Sequence, residues 1–138
     1  MEVVSPKRHR AAIDTAHGMA YLSKDSIQIM PAAGGEPRTV YRVPGVTFGQ
    51  STVTWMPDQK DLLFVQSSGM GAQDTHVLWR VPLDGSAPEQ MGLSRTGGYS
   101  FEVQVHPDGR RIAFESREAS DTEIWALENF LPASKASK

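Results

Sequence analysis

The residues that could carry out chemistry are few, and their spacing matches no familiar catalytic or metal-binding pattern. The four histidines show no His-x-His or His-x-x-x-His spacing, whereas a metal site needs ligands that converge with a defined geometry. Serines lie beside glycines at residues 67–69 and 94–98, but neither stretch is the Gly-x-Ser-x-Gly of a nucleophile elbow. There is no cysteine, and so no thiol chemistry. We predict no catalytic residue, no metal ion, no cofactor and no enzyme activity in this chain. Whether the full-length parent protein is an enzyme is left open.

Composition excludes several classes of protein. The 138 residues carry a formal net charge of −2, so no broad basic surface is available to attract nucleic acid. No apolar run approaches the roughly 20 residues of a membrane-spanning helix. With 39% hydrophobic and 22% charged residues, the composition is that of a folded domain rather than of a disordered chain. The N-terminus lacks the basic-then-apolar order of a secretory signal.

An internal repeat defines the elements that would position any site. Residues 55–64 resemble residues 105–114, and the two Pro-Asp pairs lie 50 residues apart. A degraded copy begins near Pro6, 51 residues before Pro57. A period of about 50 residues indicates a repeat architecture, in which each unit buries its apolar face against its neighbours.

Each copy follows one plan of short strands joined by turns. Apolar and polar residues alternate in the first strand, a Pro-Asp-Gly-type turn follows, and the second strand is more continuously apolar, as in a strand covered on both faces. The third copy has no fourth strand, and part of its third strand is also compatible with a helix. The predicted strands are residues 2–5, 11–13, 27–30 and 39–43, then 52–55, 62–65, 77–81 and 89–93, then 101–105, 112–114 and 124–127.

Four-stranded antiparallel repeats of about 40 to 50 residues are typical of β-propeller blades. The pattern resembles the TolB-type propeller repeat, in which Pro-Asp-Gly precedes a basic-apolar-apolar-Phe strand and then an apolar-Trp strand that ends in a glycine turn. The matching residues are Trp55, Pro57, Asp58, Phe64, Leu78, Trp79, Asp84 and Gly85, and Pro107, Asp108, Gly109, Arg110, Ile112, Ala113, Phe114, Ile124 and Trp125.

We therefore predict an all-β fold of about three four-stranded antiparallel blades, the last without its fourth strand, as a partial six-bladed propeller. The TolB-like segment spans residues 1–132, and a disordered tail follows at 133–138. The predicted blades are residues 2–45, 46–95 and 96–131.

Three blades cannot close a ring with ordinary blade geometry. With residues 2–5 assigned to the first blade, nothing upstream is left to complete the last blade. The chain is therefore either the C-terminal part of a longer propeller, which we favour, or one half of a homodimer that forms a six-bladed ring. In both cases we expect apolar surface and a strand edge on an open flank.

Several residues that invite a functional interpretation also have a structural one. Asp58 and Asp108 recur at the same turn and are interpreted as turn caps. The three tryptophans lie within predicted strands and are expected to pack between blades. Binding is expected at one rim, where the loop between the second and third strands meets the connection between blades. The candidate partner-binding residues at this rim are Arg95, Tyr99, Arg117 and His76.

The resemblance implies a non-catalytic interaction module that binds a protein partner, or the remaining blades of its own propeller. The TolB family works in the bacterial periplasm with outer-membrane lipoprotein partners, so the resemblance implies the periplasm, whereas a chain complete as given would be cytoplasmic. Two alternatives stay open: the accessory propeller of a prolyl-oligopeptidase-like peptidase, and the sensory C-terminal domain of a bacterial kinase or transcription regulator. The ending at residues 130–132 favours the regulator, because a catalytic domain usually follows the propeller of the peptidase.

Overall fold

The computed structural model describes residues 12–14, 18–42, 52–68, 73–96, 102–118 and 121–131, which form eleven antiparallel strands in three sheets. The strands of sheet one are β1 (Ala12–Asp14), β2 (Gly18–Ser23), β3 (Ser26–Met30) and β4 (Arg38–Arg42). Those of sheet two are β5 (Thr52–Trp55), β6 (Asp61–Ser68), β7 (Thr75–Pro82) and β8 (Glu89–Thr96). Those of sheet three are β9 (Val103–Val105), β10 (Arg111–Glu118) and β11 (Asp121–Glu128).

Strands that follow one another along the chain also lie side by side within each sheet. Each sheet is therefore an antiparallel meander, as in a propeller blade. This confirms the predicted all-β class, and the third unit contains three strands among the residues that the structure describes. The segment that was also compatible with a helix forms strand β11, and the described residues include no helix long and apolar enough to cross a membrane.

Strand β6 shows why the sheets stack. It contains four consecutive apolar residues, and each of them is at most 1% exposed. Because side chains alternate across a strand, Leu62 and Phe64 face one neighbouring sheet while Leu63 and Val65 face the other. The predicted burial of this strand on both faces is confirmed.

Two buried clusters join the three sheets in a row. The first seam, between sheets one and two, contains Ala20, Leu22, Ile27, Ile29, Val53, Leu62, Phe64 and Val81. The second seam, between sheets two and three, contains Met56, Leu63, Val65, Leu78, Met91, Val103, Ile112 and Phe130. Burial of each large side chain contributes on the order of 1.5–3 kcal/mol. Sheet two therefore lies between its neighbours, with β5 against both β1 and β9.

Aspartate caps hold the turns at one end of sheets two and three. Oδ1 of Asp58 accepts the backbone N–H two residues further on at 3.0 Å, and Oδ1 of Asp108 does the same at 2.8 Å. The residue directly after each aspartate has a positive φ, which is 59° at Gln59 and 68° at Gly109, in the left-handed region that favours glycine. The turn-cap interpretation is thus confirmed, and we call this end of the sheets the turn rim.

The tryptophans divide into two that pack between sheets and one that does not. Trp55 and Trp79 are partly buried and pack against the first seam. Trp125 is 51% exposed, so the expectation that it packs between blades is wrong. The reason lies in its neighbours. Trp79 is flanked by β8, whereas β11 pairs with β10 alone in the part of the chain that the structure describes.

Sheet one differs from the predicted first blade. The segment predicted as the second strand is the first strand, β1, and the actual second strand, β2, was missed. The predicted strand at residues 2–5 lies outside the described residues. This repeat lacks a Pro-Asp turn, and β2 begins instead at Gly18, where φ is 113° and a Cβ atom would overlap the carbonyl oxygen of Met30. The alignment from Pro6 therefore matched the wrong turn.

Candidate partner-binding surface

The connections between the second and third strands of sheets two and three, and the connection between these two sheets, leave from the end opposite to the turn rim. Strands β6 and β7 meet there at the paired residues Ser68 and Thr75, and β8 ends at Thr96, opposite Thr75. Strands β10 and β11 meet at the pair of Glu118 and Asp121. We call this end the loop rim, because the connections at residues 69–74, 97–102 and 119–120 all leave from it.

Arg95 and His76 are directly paired across β8 and β7 at the loop rim. Arg95 is half-buried, so part of its side chain faces solvent. His76 is only 1% exposed. It lies on the same face of β7 as Leu78, and the second seam covers that face. His76 therefore belongs to the interior and cannot contact a partner while the sheet is intact, which corrects its selection as a surface residue.

His76 contacts a buried serine, and a buried aspartate precedes it by two residues in the sequence. The Ser67 Oγ and the His76 Nδ1 lie 2.8 Å apart, and the Ser67 residue is 6% exposed. Asp74 is 3% exposed, and its Oδ1 has no hydrogen-bond partner among the described residues. These are the residue types of a nucleophile, a base and an acid. Their burial keeps substrates away from them, so the geometry supports a structural hydrogen bond between two strands.

Of the two other candidates, only Arg117 has a position that the structure describes. Arg117 is opposite Thr122, next to the last pair of β10 and β11. Tyr99 lies outside the described residues, within the connection from β8 to β9. The backbone thus places Arg95 and Arg117 at the same rim of two adjacent sheets.

The turn rim has a surface that the sequence analysis missed. A groove of about 420 Å³ lies between the Pro-Asp turns of sheets two and three. The recurrence of one turn in two neighbouring units is the signal that could have revealed it. Its lining residues are Met56, Pro57, Asp58, Pro107, Asp108, Gly109, Arg110 and Leu131.

One lining residue of this groove, Asp108, has its pKa lowered from 3.8 to about 2. The largest cause is the backbone N–H of Arg110, and the side chains of Arg111 and His106 lower the pKa further. Oδ2 of Asp108 lies 3.0 Å from Nε of Arg111 and 3.0 Å from Nδ1 of His106. An ionised carboxylate held within its own turn is a structural group and a poor general acid at neutral pH. Across the described ranges, no three His, Asp or Glu residues are placed to hold a metal ion.

Comparison with solved structures shows the same fold in a known protein. The crystal structure of TolB from Acinetobacter baumannii matches 88% of this chain and 30% of its own length, with a TM-score of 0.63 and 14% sequence identity. A protein described as TolB from Agrobacterium tumefaciens matches 80% of this chain and 57% of its own length, at 17% identity and a TM-score of 0.40. No family model matches the sequence, and no curated protein does.

The chain therefore has a TolB-like propeller fold, and it spans less than a third of the length of the first of these structures. At this level of identity the likeness shows the fold alone, because one fold hosts many functions.

Proposed function

We propose that the chain is a non-catalytic part of a larger β-propeller, and that it binds a protein partner through the loop rim. The observation that carries this proposal is that two buried seams join the three sheets into one block in which the connections at residues 69–74, 97–102 and 119–120 leave from a single rim. Loops held by a rigid scaffold are where binding is usually found.

The chemistry of the partner follows from the residues at the rim. Arg95 and Arg117 occupy positions near the ends of strands in two adjacent sheets, and Tyr99 lies in the sequence that connects those sheets. Guanidinium groups form their strongest hydrogen bonds with carboxylates, often in a bidentate geometry. Tyrosine and arginine are also frequent anchors of protein interfaces. We therefore propose an acidic or polar protein surface as the partner.

The proposal is tested by chemical cross-linking and affinity capture from cells that express the protein. The test variant combines Arg95→Ala, Tyr99→Ala and Arg117→Ala at the loop rim. The matched control combines Lys60→Ala and Arg110→Ala, which removes exposed cations from the turn rim. The partner captured by the unmodified protein should be lost with the loop-rim variant and kept with the turn-rim variant. Equal capture by both variants would remove the loop rim from consideration.

A further inference from the structure

The groove at the turn rim lies between two copies of the same turn, one from sheet two and one from sheet three. In the first turn the N–H of Gln59 donates to the carbonyl oxygen of Met56 at 2.9 Å, and in the second the N–H of Gly109 donates to that of His106 at the same distance. A proline in each turn also fixes φ. Both walls are thus held by their own backbone, and a preformed site loses little conformational freedom when it binds.

The more buried part of the lining is apolar. Met56 is only 3% exposed, and Leu131 is half-buried against the second seam. Pro57 and Pro107 add two exposed rings. The volume of about 420 Å³ lies near the lower end of the roughly 300–1,000 Å³ that is usual for ligand pockets. The groove therefore has room for one large apolar side chain and the backbone beside it.

The two carboxylates of the lining already accept hydrogen bonds within their own turns. Oδ1 of Asp108 accepts the N–H of Arg110, and its Oδ2 lies 3.0 Å from both Nε of Arg111 and Nδ1 of His106. Oδ1 of Asp58 accepts a backbone N–H of its turn at 3.0 Å. These carboxylates hold the turns in shape, and they disfavour an occupant that carries several negative charges.

Arg110 is the charged residue of the lining whose side chain its own turn leaves available. Its backbone N–H donates to Asp108 at 2.8 Å, and its carbonyl oxygen accepts the N–H of Asn129 at 2.8 Å. Its exposed guanidinium group has no hydrogen bond or ion pair within the ranges that the structure describes. Guanidinium groups bind carboxylates and phosphates through two parallel hydrogen bonds. The nearby Asp58 and Asp108 favour the singly charged carboxylate over the more highly charged phosphate.

The exposure of the walls favours a protein segment over a free small molecule. The proline and the aspartate of each turn are exposed, whereas small-molecule sites usually bury roughly 70–90% of the ligand surface. A side chain that belongs to a protein gains further contacts outside the groove, so it needs less burial within it.

We propose that this groove binds a protein segment in which a large apolar side chain stands next to a carboxylate. The apolar side chain packs on Met56 and Leu131, and the carboxylate pairs with the guanidinium group of Arg110. An acidic side chain and the C-terminus of a chain both supply this carboxylate chemistry. The groove and the loop rim lie at opposite ends of the sheets, so the inference goes beyond the proposed function and does not rest on it.

The first test is a titration followed by NMR of the isotopically labelled protein. The probes are N-acetyltryptophan, the dipeptide N-acetyltryptophyl-aspartic acid with its C-terminus blocked as an amide, and N-acetyltryptophanamide, which has no carboxylate. At least one carboxylate probe should shift the amide signals of Asp58, Gly109 and Leu131 with a dissociation constant of about 1 mM or below. The tighter of the two identifies the source of the carboxylate. N-acetyltryptophanamide should bind about ten-fold more weakly, because it cannot form the charged pair.

Three results of this titration would overturn the inference. They are the absence of saturable shifts at the groove, equal affinity for the amide and the carboxylate probes, and tighter binding of inorganic phosphate than of either carboxylate probe at the same signals.

The second test uses variants of the rim. Arg110→Ala should weaken the carboxylate probes about ten-fold and leave the amide probe unchanged. Leu131→Ser should weaken all three probes, because each of them needs the apolar contact. Lys60→Ala is the matched control, since it removes an exposed cation of the same rim that does not line the groove, and it should change nothing. Circular dichroism checks that each variant is folded.

The outcomes separate this site from the loop rim. The loop-rim variant should bind all three probes as the unmodified protein does, even where it has lost its captured partner. If Arg110→Ala keeps the preference for carboxylates, or if Lys60→Ala loses it equally, the groove is not the site and the inference fails. Capture through the loop rim would then still stand as the proposed function.

Discussion

Two adjacent leucines of β6 should report on different neighbouring sheets. Leu62 is 0% exposed and lies in the first seam, whereas Leu63 is 1% exposed and lies in the second. Their chemistry and burial are matched, so they differ only in the sheet that each faces. If the sheets are stacked as described, Leu63 should be energetically coupled to Ile112 of sheet three, and Leu62 should not.

The expected losses in the free energy of unfolding follow from the burial of these side chains. Leu62→Ala and Leu63→Ala should each destabilise the protein by about 2–5 kcal/mol, and Ile112→Val by about 0.5–1.5 kcal/mol. In a double-mutant cycle, Leu63→Ala with Ile112→Val should show a coupling of at least about 0.5 kcal/mol, because both residues line one cluster. Leu62→Ala with Ile112→Val should be additive to within about 0.3–0.5 kcal/mol.

The assay is urea denaturation followed by tryptophan fluorescence, with the free energy of unfolding extrapolated linearly to water. If the alanine variants are too unstable to fold, Leu62→Val and Leu63→Val give the same comparison with a smaller loss of stability. A reciprocal cycle with Ile27→Val, in sheet one, should couple to Leu62 instead. The stacking of the three sheets would be refuted by equal coupling of Leu62 and Leu63 to Ile112.

Two further predictions concern a backbone contact and a carboxylate. Gly18→Ala should destabilise the protein by at least about 3 kcal/mol, because the new Cβ would overlap a backbone oxygen and lie 2.8 Å from the nitrogen of Ala32. The φ of this residue is also one that alanine avoids. Gly92 has open space around it, so Gly92→Ala should change the unfolding free energy by less than about 1 kcal/mol in the same urea assay. Asp108 has a folded-state pKa of about 2, below its ordinary 3.8, so its contribution to stability is present above pH 3.8 and is lost as the pH falls towards 2. Asp108→Asn should therefore lose less stability than the unmodified protein between pH 4 and pH 2, and parallel urea midpoints for the two proteins would contradict that assignment.

The strands that the sequence predicted well belong to units with a strong local signal. In the second unit, the turn that Asp58 caps is followed by a run of apolar residues, and both features need only a few neighbouring residues to form. The first unit has no such turn. Its second strand begins at Gly18, whose role depends on the carbonyl group of Met30, twelve residues away. Without that tertiary contact, the glycine gives no sign that a strand begins there.

The rim to which the candidate residues were assigned was predictable from the sequence, whereas the burial of His76 was not. The antiparallel topology was sufficient to assign the connections at residues 69–74, 97–102 and 119–120 to one rim. His76 looked like a loop residue because the polar stretch before it extends to Asp74. Its burial depends on β7 starting at Thr75 and on sheet three covering one face of β7, and neither is encoded in the residues near His76.

The sequence by itself determined the repeat unit and the alternation of strands and turns, because both depend on short-range periodicity and turn chemistry. Only the tertiary structure decided which faces are covered. Leu78 and Ile124 occupy the same position in their units, yet one is buried and the other exposed. The difference arises because burial depends on which sheet lies against a residue, and the residues of that sheet are distant in the sequence.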